Sequence, residues 1–74
     1  MKEYWELYIT QGENRIWLKT YNNEEDCVND MLNIAKIIRN EIYYIRSTKL
    51  DDGKTIWYDF GSHTTFFETK KVVK

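Results

Sequence analysis

Residues 3–21 read EYWELYITQGENRIWLKTY. Its first half alternates, so that Trp5, Leu7 and Ile9 share one side of an extended chain while more polar residues share the other. The segment 11–14, QGEN, is typical of a turn, and the alternation resumes directly after it. The stretch therefore predicts a β-hairpin with one apolar face.

One register of this hairpin makes both of its faces chemically consistent. The predicted cross-strand pairs are Ile9 with Ile16, Leu7 with Leu18, Tyr8 with Trp17, and Glu6 with Lys19. A slip by one residue would move every side chain of a strand to the opposite face. The side chains therefore favour this register over its neighbours.

An amphipathic helix is predicted after the hairpin, over about residues 23–40. Asn22-Asn23 supplies a helix cap, and the carboxylates of residues 24–26 suit the positive end of the helix dipole. Apolar residues then recur at helical spacing from Cys27 to Ile38. A helix with one apolar stripe is expected to pack on a sheet.

Two further strands are predicted beyond the helix, over residues 41–49 and 54–60, joined by a turn at residues 51–53. A loop of two or four residues gives the predicted pairs Ile45 with Phe60, Ser47 with Tyr58, and Arg46 with Asp59. A three-residue loop would instead place Ile45 against Asp59. The first register is favoured because it sets apolar Ile45 opposite apolar Phe60 and Arg46 opposite the oppositely charged Asp59.

The elements together predict a single α+β domain over residues 1–74. Its parts are a hairpin at 3–21, a helix at about 23–40, a hairpin at 41–60, and a loop with a short strand or tail at 61–74. The expected sheet is antiparallel, with four strands, or five if the tail pairs, and with the helix on one face. The pattern leaves the strand order open.

Composition narrows the functional classes. The chain has 74 residues and a net charge of −1, so it has room for one domain and no bulk attraction to nucleic acid. The single Cys27 excludes an internal disulfide. The chain has no apolar run of membrane-spanning length and does not begin like a signal peptide. We expect a cytoplasmic protein with no membrane partner and no cofactor.

Aromatic residues make up 16% of the chain, a large share for so small a domain. On the helix side the predicted registers place Trp5, Leu7, Ile9, Ile16, Leu18, Tyr43, Ile45, Ile56, Tyr58 and Phe60. On the opposite face they place Tyr4, Tyr8, Trp17, Tyr21, Tyr44 and Trp57, with a polar rim of Arg15, Lys19 and Arg46. An uncovered apolar patch on a small protein is typical of an interaction site. These nine residues are the predicted partner-binding set, although aromatic residues also favour strands for structural reasons alone.

Catalytic and metal-binding chemistry is not expected. Cys27 and His63 form the one conceivable nucleophile–base pair, but Cys27 falls on the apolar helix stripe, where a thiol is inert. His63 has no second His or Cys at ligand spacing. Ser62 and His63 are a secondary candidate contact loop that could present amides and hydroxyls to a phosphate, or form a plain polar loop between aromatic anchors.

In its size, its lack of a catalytic set and its aromatic sheet face, the chain resembles the small Lys/Asn/Tyr-rich inhibitors carried by phages and mobile elements, such as anti-CRISPR and other anti-defence proteins. This resemblance carries no residue motif, so no residue roles transfer. It implies a protein that occupies a surface of a bacterial immune effector, such as a CRISPR nuclease, in the cytoplasm of the bacterial host.

Three hypotheses follow for the aromatic face. The first is a non-enzymatic protein-binding module, in the manner of an inhibitor. The second is a single-stranded nucleic-acid binder that stacks bases on the same rings, which the small number of basic residues on the face disfavours. The third is a structural homodimer whose face is covered by a second copy.

Overall fold

The computed structural model describes residues 2–39, 44–62 and 64–74, which form a five-stranded antiparallel sheet and one helix. In chain order the elements are β1 (Glu3–Gln11), β2 (Asn14–Tyr21), α1 (Glu24–Ile38), β3 (Arg46–Lys49), β4 (Thr55–Asp59) and β5 (Thr65–Val73). The predicted α+β class is confirmed, and the sheet has the fifth strand. The predicted start of the third strand, including Tyr43, lies outside the described residues, as does His63.

The C-terminal segment is the central strand of the sheet. The strand order is β2-β1-β5-β4-β3, so β5 joins the two hairpins. It pairs with β1 along its whole length, from Glu3 opposite Val73 to Gln11 opposite Thr65, and with β4 on its other side. A hairpin alone exposes unpaired backbone groups at both edges, and β5 satisfies one edge of each hairpin.

The first hairpin has the predicted register at its tip. Tyr8 lies opposite Trp17 and Ile9 opposite Ile16. Gly12 closes the turn with φ +60°, a conformation that favours glycine. Ile16, which was expected in the core, is exposed because β2 is an edge strand of the sheet.

A β-bulge changes the base of the same hairpin, and the two pairs predicted there are wrong. The register shifts at Leu7, which lies opposite Lys19 and not opposite Leu18, and Tyr21 lies opposite Trp5. A bulge places one additional residue on one strand, so the side chains beyond it exchange faces. Both Lys19 and Tyr21 are thereby moved from their predicted positions.

The second hairpin has the predicted register where its strands pair. Arg46 lies opposite Asp59 and Ser47 opposite Tyr58. Ile45 precedes the first residue of β3 and is exposed, so its predicted place in the core is wrong.

The turn of this hairpin is closed by Asp52. Its carboxylate accepts hydrogen bonds from the hydroxyl of Thr55 at 2.6 Å and from the backbone N–H groups of Lys54 and Thr55, each at 2.9 Å. These hydrogen bonds stabilise the ionised carboxylate and lower the pKa of Asp52 to about 2. The bond from the Thr55 hydroxyl has the largest effect, and the bonds from the two backbone amides follow. These bonds hold Lys54 beside the end of the sheet.

Helix α1 begins after Asn23, whose side chain accepts a hydrogen bond from the N–H of Asp26 at 2.8 Å. It ends at Ile38, slightly short of the predicted residue 40. Its buried residues recur every fourth position: Cys27, Met31 and Ala35. Within the described ranges, no helix is long and apolar enough to cross a membrane.

The core lies between α1 and one part of the sheet. The buried apolar residues are Leu7, Ile9, Tyr21, Cys27, Met31, Ala35, Phe60 and Phe67. α1 lies over β1, β2 and β5, and among the described residues none of its Cα atoms lies within 8 Å of a Cα atom of β3 or β4. Tyr58 of β4 also packs against this core. No described element covers the other face of the sheet.

The central position of β5 predicts a large cost for removing its buried ring. Phe67 is 1% exposed, and its ring centroid lies 5.4 Å from that of Phe60. We expect Phe67→Ala to lower the free energy of unfolding by about 3–5 kcal/mol, measured by urea denaturation. Val73→Ala, at the exposed end of the same strand, is the control and should cost less than about 1 kcal/mol. Similar losses for the two variants would contradict the central placement of β5.

Candidate functional site

One row of side chains crosses the open face, by which we mean the face of the sheet opposite α1. Successive cross-strand pairs place five residues side by side, one from each strand: Trp17, Tyr8, Glu68, Trp57 and Thr48. We call this set the central row. It follows the strand order from the β2 edge to the β3 edge, so it brings together residues that are far apart in the sequence.

Glu68 occupies the middle of the central row and is only 7% exposed. Arg15 covers it: the guanidinium Nε donates to one carboxylate oxygen at 2.9 Å, and a terminal guanidinium nitrogen contacts the same oxygen. The other carboxylate oxygen accepts a hydrogen bond from the indole Nε1 of Trp57 at 3.1 Å. A buried carboxylate is tolerated when it is both charge-paired and hydrogen-bonded, and Glu68 meets both conditions.

The aromatic rings around Glu68 are held by further contacts. The guanidinium carbon of Arg15 lies 3.8 Å from the centroid of the Tyr8 ring, a cation–π contact. Trp57 stacks on Phe66, with ring centroids 5.2 Å apart and planes at 18°. Trp57 is thus fixed by one stack and one hydrogen bond, and Tyr8 by the guanidinium above it.

The central row also presents exposed apolar area. Trp17 is 53% exposed and Trp57 is 39% exposed. The two indoles lie on either side of Glu68, whose charge is compensated by Arg15. The hydrogen bond to Glu68 raises the pKa of Arg15 further above its ordinary value. Arg15 is therefore part of the frame that holds the face and is not a free cation at its rim.

The structure brings together four of the nine predicted partner-binding residues, namely Tyr8, Arg15, Trp17 and Trp57, and corrects two others. Tyr21 is buried on the helix side, where its hydroxyl donates to the carboxylate of Asp30 in α1. Burial has the largest effect in raising the pKa of Tyr21, and the hydrogen bond to Asp30 raises it further. The Nζ of Lys19 lies 5.3 Å from the centroid of the Tyr21 ring. The bulge at Leu7 is the physical reason that neither residue lies on the open face.

The remaining three predicted residues lie outside the central row. Tyr4 of β1 lies opposite Val72 of β5. The Nζ of Lys74 lies 5.8 Å from the centroid of the Tyr4 ring. Tyr44 precedes β3 and is exposed, and the guanidinium carbon of Arg46 lies 4.9 Å from the centroid of its ring. These are ring–cation pairs away from the centre of the face.

Sequence reasoning missed Glu68 and Phe66, which complete the site. The available signal is that Phe66 and Glu68 are two residues apart, which places both side chains on one face if this segment is a strand. That spacing does not identify the neighbouring strands. The contacts of Glu68 become visible only once β5 lies between β1 and β4.

Ser62, the described residue of the candidate loop, lies in a segment held by several hydrogen bonds. The Oγ of Ser62 accepts a hydrogen bond from the backbone N–H of Thr65 at 3.2 Å, and the N–H of Gly61 donates to Asp59 at 2.8 Å. Arg39 donates to the carbonyl oxygen of Gly61 at 2.8 Å. Ser62 therefore has an internal structural role.

Cys27 is a residue of α1 and is fully buried in the core. The pKa of its thiol is raised to about 11, mainly by burial and to a smaller extent by the nearby carboxylates of Asp30 and Glu24. A thiol with a raised pKa holds little of the nucleophilic thiolate form at neutral pH. Residues 2–39, 44–62 and 64–74 contain no group of three or more His, Cys, Asp or Glu side chains that could hold a metal ion.

Comparison with known proteins adds no identity to this geometry. No protein-family model matches the chain, and no match is found among curated proteins or among solved structures. Its function is therefore inferred from the chemistry of its own surfaces.

The Arg15–Glu68 pair predicts unequal costs for its two halves. Arg15→Met leaves a buried carboxylate without its cation and should lower the free energy of unfolding by about 1–3 kcal/mol. Glu68→Gln keeps an acceptor for Trp57 and leaves a guanidinium that water can reach, so it should cost about 1 kcal/mol or less. Urea denaturation measures both, with Arg46→Met as the control on the same face. A larger loss for Glu68→Gln than for Arg15→Met would contradict this account.

The burial of Cys27 predicts a protected thiol. At mildly alkaline pH, Ellman's reagent should react with the native protein far more slowly than with the protein unfolded in urea, because the native thiol must first be exposed by opening of the structure. The measurement is the absorbance of the released thiolate over time. Equal rates in the two states would show that Cys27 is accessible and would contradict its position in the core.

Proposed function

We propose that this chain is a non-enzymatic binding protein that docks onto another protein through its open face. The observation that carries the proposal is the pair of exposed indoles, Trp17 and Trp57, on a row that Glu68 and Arg15 hold together. Tryptophan, tyrosine and arginine are the residues most enriched at binding hot spots. A face whose side chains are already fixed loses less conformational entropy when a partner binds.

The charge pattern of the open face favours a protein partner over single-stranded nucleic acid. Arg15 is paired with Glu68, and two other cationic residues lie directly opposite acidic ones: Lys70 opposite Glu6, and Arg46 opposite Asp59. A strand that stacked on the indoles would also need free cations for its phosphates. These three cations of the open face therefore have acidic neighbours.

The resemblance to small inhibitors of phages and mobile elements gives this proposal a narrower form. In that form, the partner is a bacterial immune effector, such as a CRISPR nuclease, and docking blocks one of its surfaces. Aromatic anchors on a compact domain suit such a role, since inhibition by occupancy requires affinity and no chemistry.

Site-specific crosslinking tests the docking face. A photoreactive phenylalanine placed at Trp17 should form a defined protein adduct in bacterial cells, and the same residue at Ile37, an exposed apolar position on α1, should not. Binding of the identified partner should then weaken by about 2 kcal/mol or more in Trp17→Ala, measured by calorimetry. Ile37→Ala is the matched control and should bind like the parent chain. Unchanged binding by Trp17→Ala would contradict the proposed site.

Self-association is the competing explanation for an exposed Trp17, and light scattering after size exclusion separates the two. A monomer across micromolar concentrations agrees with a foreign partner. A dimer that Trp17→Ala converts to a monomer would assign the open face to a second copy. Salt-sensitive quenching of tryptophan fluorescence by an oligonucleotide, lost in Trp17→Ala, would assign it to nucleic acid instead.

A further inference from the structure

A cavity of about 200 Å³ opens on the helix side of the sheet, between the first residue of α1 and one end of the sheet. Three lysines line it: Lys49, Lys54 and Lys71. Trp5 and Ile56 supply its apolar wall, and Glu24, the first residue of α1, is the one acidic residue in its described lining.

The pairing of the sheet explains why these residues meet. Lys49 lies opposite Ile56 across β3 and β4, and Trp5 lies opposite Lys71 across β1 and β5. The turn that Asp52 closes brings Lys54 to the same end of the sheet, where its carbonyl oxygen accepts a hydrogen bond from the N–H of Lys71 at 3.0 Å.

The lysines of this cavity are only partly compensated. The Nζ of Lys71 lies 3.3 Å from a carboxylate oxygen of Glu3. Lys49 and Lys54 take part in no ion pair within the part of the chain that the structure describes. Like charges gathered around one cavity repel each other, and a bound anion would relieve that repulsion.

Trp5 gives the cavity a second recognition element. The Nζ of Lys71 lies 5.9 Å from the centroid of its ring, so a cation and an aromatic wall stand side by side. This combination suits a molecule that carries an anion next to an organic ring. A phosphate dianion gains more electrostatic stabilisation from clustered lysines than a carboxylate does, because it carries more charge and more acceptor oxygens.

We propose that this cavity binds a small phosphate monoester, with the phosphate among Lys49, Lys54 and Lys71 and the organic part against Trp5. The site lies on the opposite side of the sheet from the open face. It is independent of the proposed protein docking, and either can be absent without the other.

The test is a titration of the isotopically labelled full chain with AMP at low ionic strength, followed by the nitrogen–proton NMR spectrum. AMP should produce a saturable shift of the Trp5 indole signal and of the amides around the three lysines, while the indole signals of Trp17 and Trp57 stay in place. The absence of a saturable shift in the millimolar range would overturn the proposal.

Charge variants of opposite sign sharpen this test. Lys49→Gln and Lys54→Gln should each weaken AMP binding by about fivefold, and Glu24→Gln should strengthen it by a similar factor. Lys36→Gln, on α1 and outside the cavity lining, is the matched control and should leave the affinity unchanged. If Lys36→Gln weakened AMP binding as much as the cavity variants do, the effect would come from the overall charge of the protein, and the proposed site would be wrong. The spectra of the free variants report whether each one is folded.

Three further probes separate the sources of a phosphate group. Ribose 5-phosphate should bind more weakly than AMP if the adenine ring contacts Trp5. Inorganic phosphate that binds as tightly as AMP would overturn the role of Trp5. A thymidine oligonucleotide that binds where AMP does not would overturn the assignment to a small molecule.

Discussion

The backbone hydrogen bonds that β5 forms with both hairpins hold the sheet together. Each hairpin supplies one unpaired inner edge, and β5 satisfies both at once. Because successive residues of a strand point to opposite faces, the same strand places Phe67 in the core and Glu68 on the open face. The core and the candidate site are therefore fixed by one set of hydrogen bonds.

The burial of Glu68 converts the open face from a loose set of aromatic residues into a fixed surface. A carboxylate removed from water is costly, and here two donors on different strands, Arg15 and Trp57, offset that cost. Each donor is held in turn by an aromatic contact, Arg15 on Tyr8 and Trp57 on Phe66. The side chains of four strands are thus linked through a single acidic group. A surface linked in this way favours one shape of partner, since its rings cannot repack independently.

Local patterns in the sequence predicted the helix, both hairpins, the register at the tip of the first hairpin and the register of the second. These features can be recognised locally because periods of 2 and 3.6 residues occur within single segments. The bulge at Leu7 and the central place of β5 depend on pairings between distant segments, which no local pattern contains. The misplacement of Tyr21 follows from the bulge alone. Glu68 was missed for a different reason: a charged residue in a short polar segment resembles a solvent-exposed position until its partners on β2 and β4 are known.

The two surfaces of the sheet differ in how their charges are balanced, although the chain as a whole is nearly neutral. On the open face, Arg15, Arg46 and Lys70 lie beside or opposite acidic residues. Of the three lysines that line the helix-side cavity, two take part in no ion pair among the described residues. Adjacent residues of single strands serve the two surfaces: Ile56 lines the cavity while Trp57 belongs to the central row, and Lys49 and Thr48 divide in the same way. A one-residue shift of either strand would exchange these side chains and destroy both surfaces together. The register of β3 and β4 is therefore constrained from both sides of the sheet.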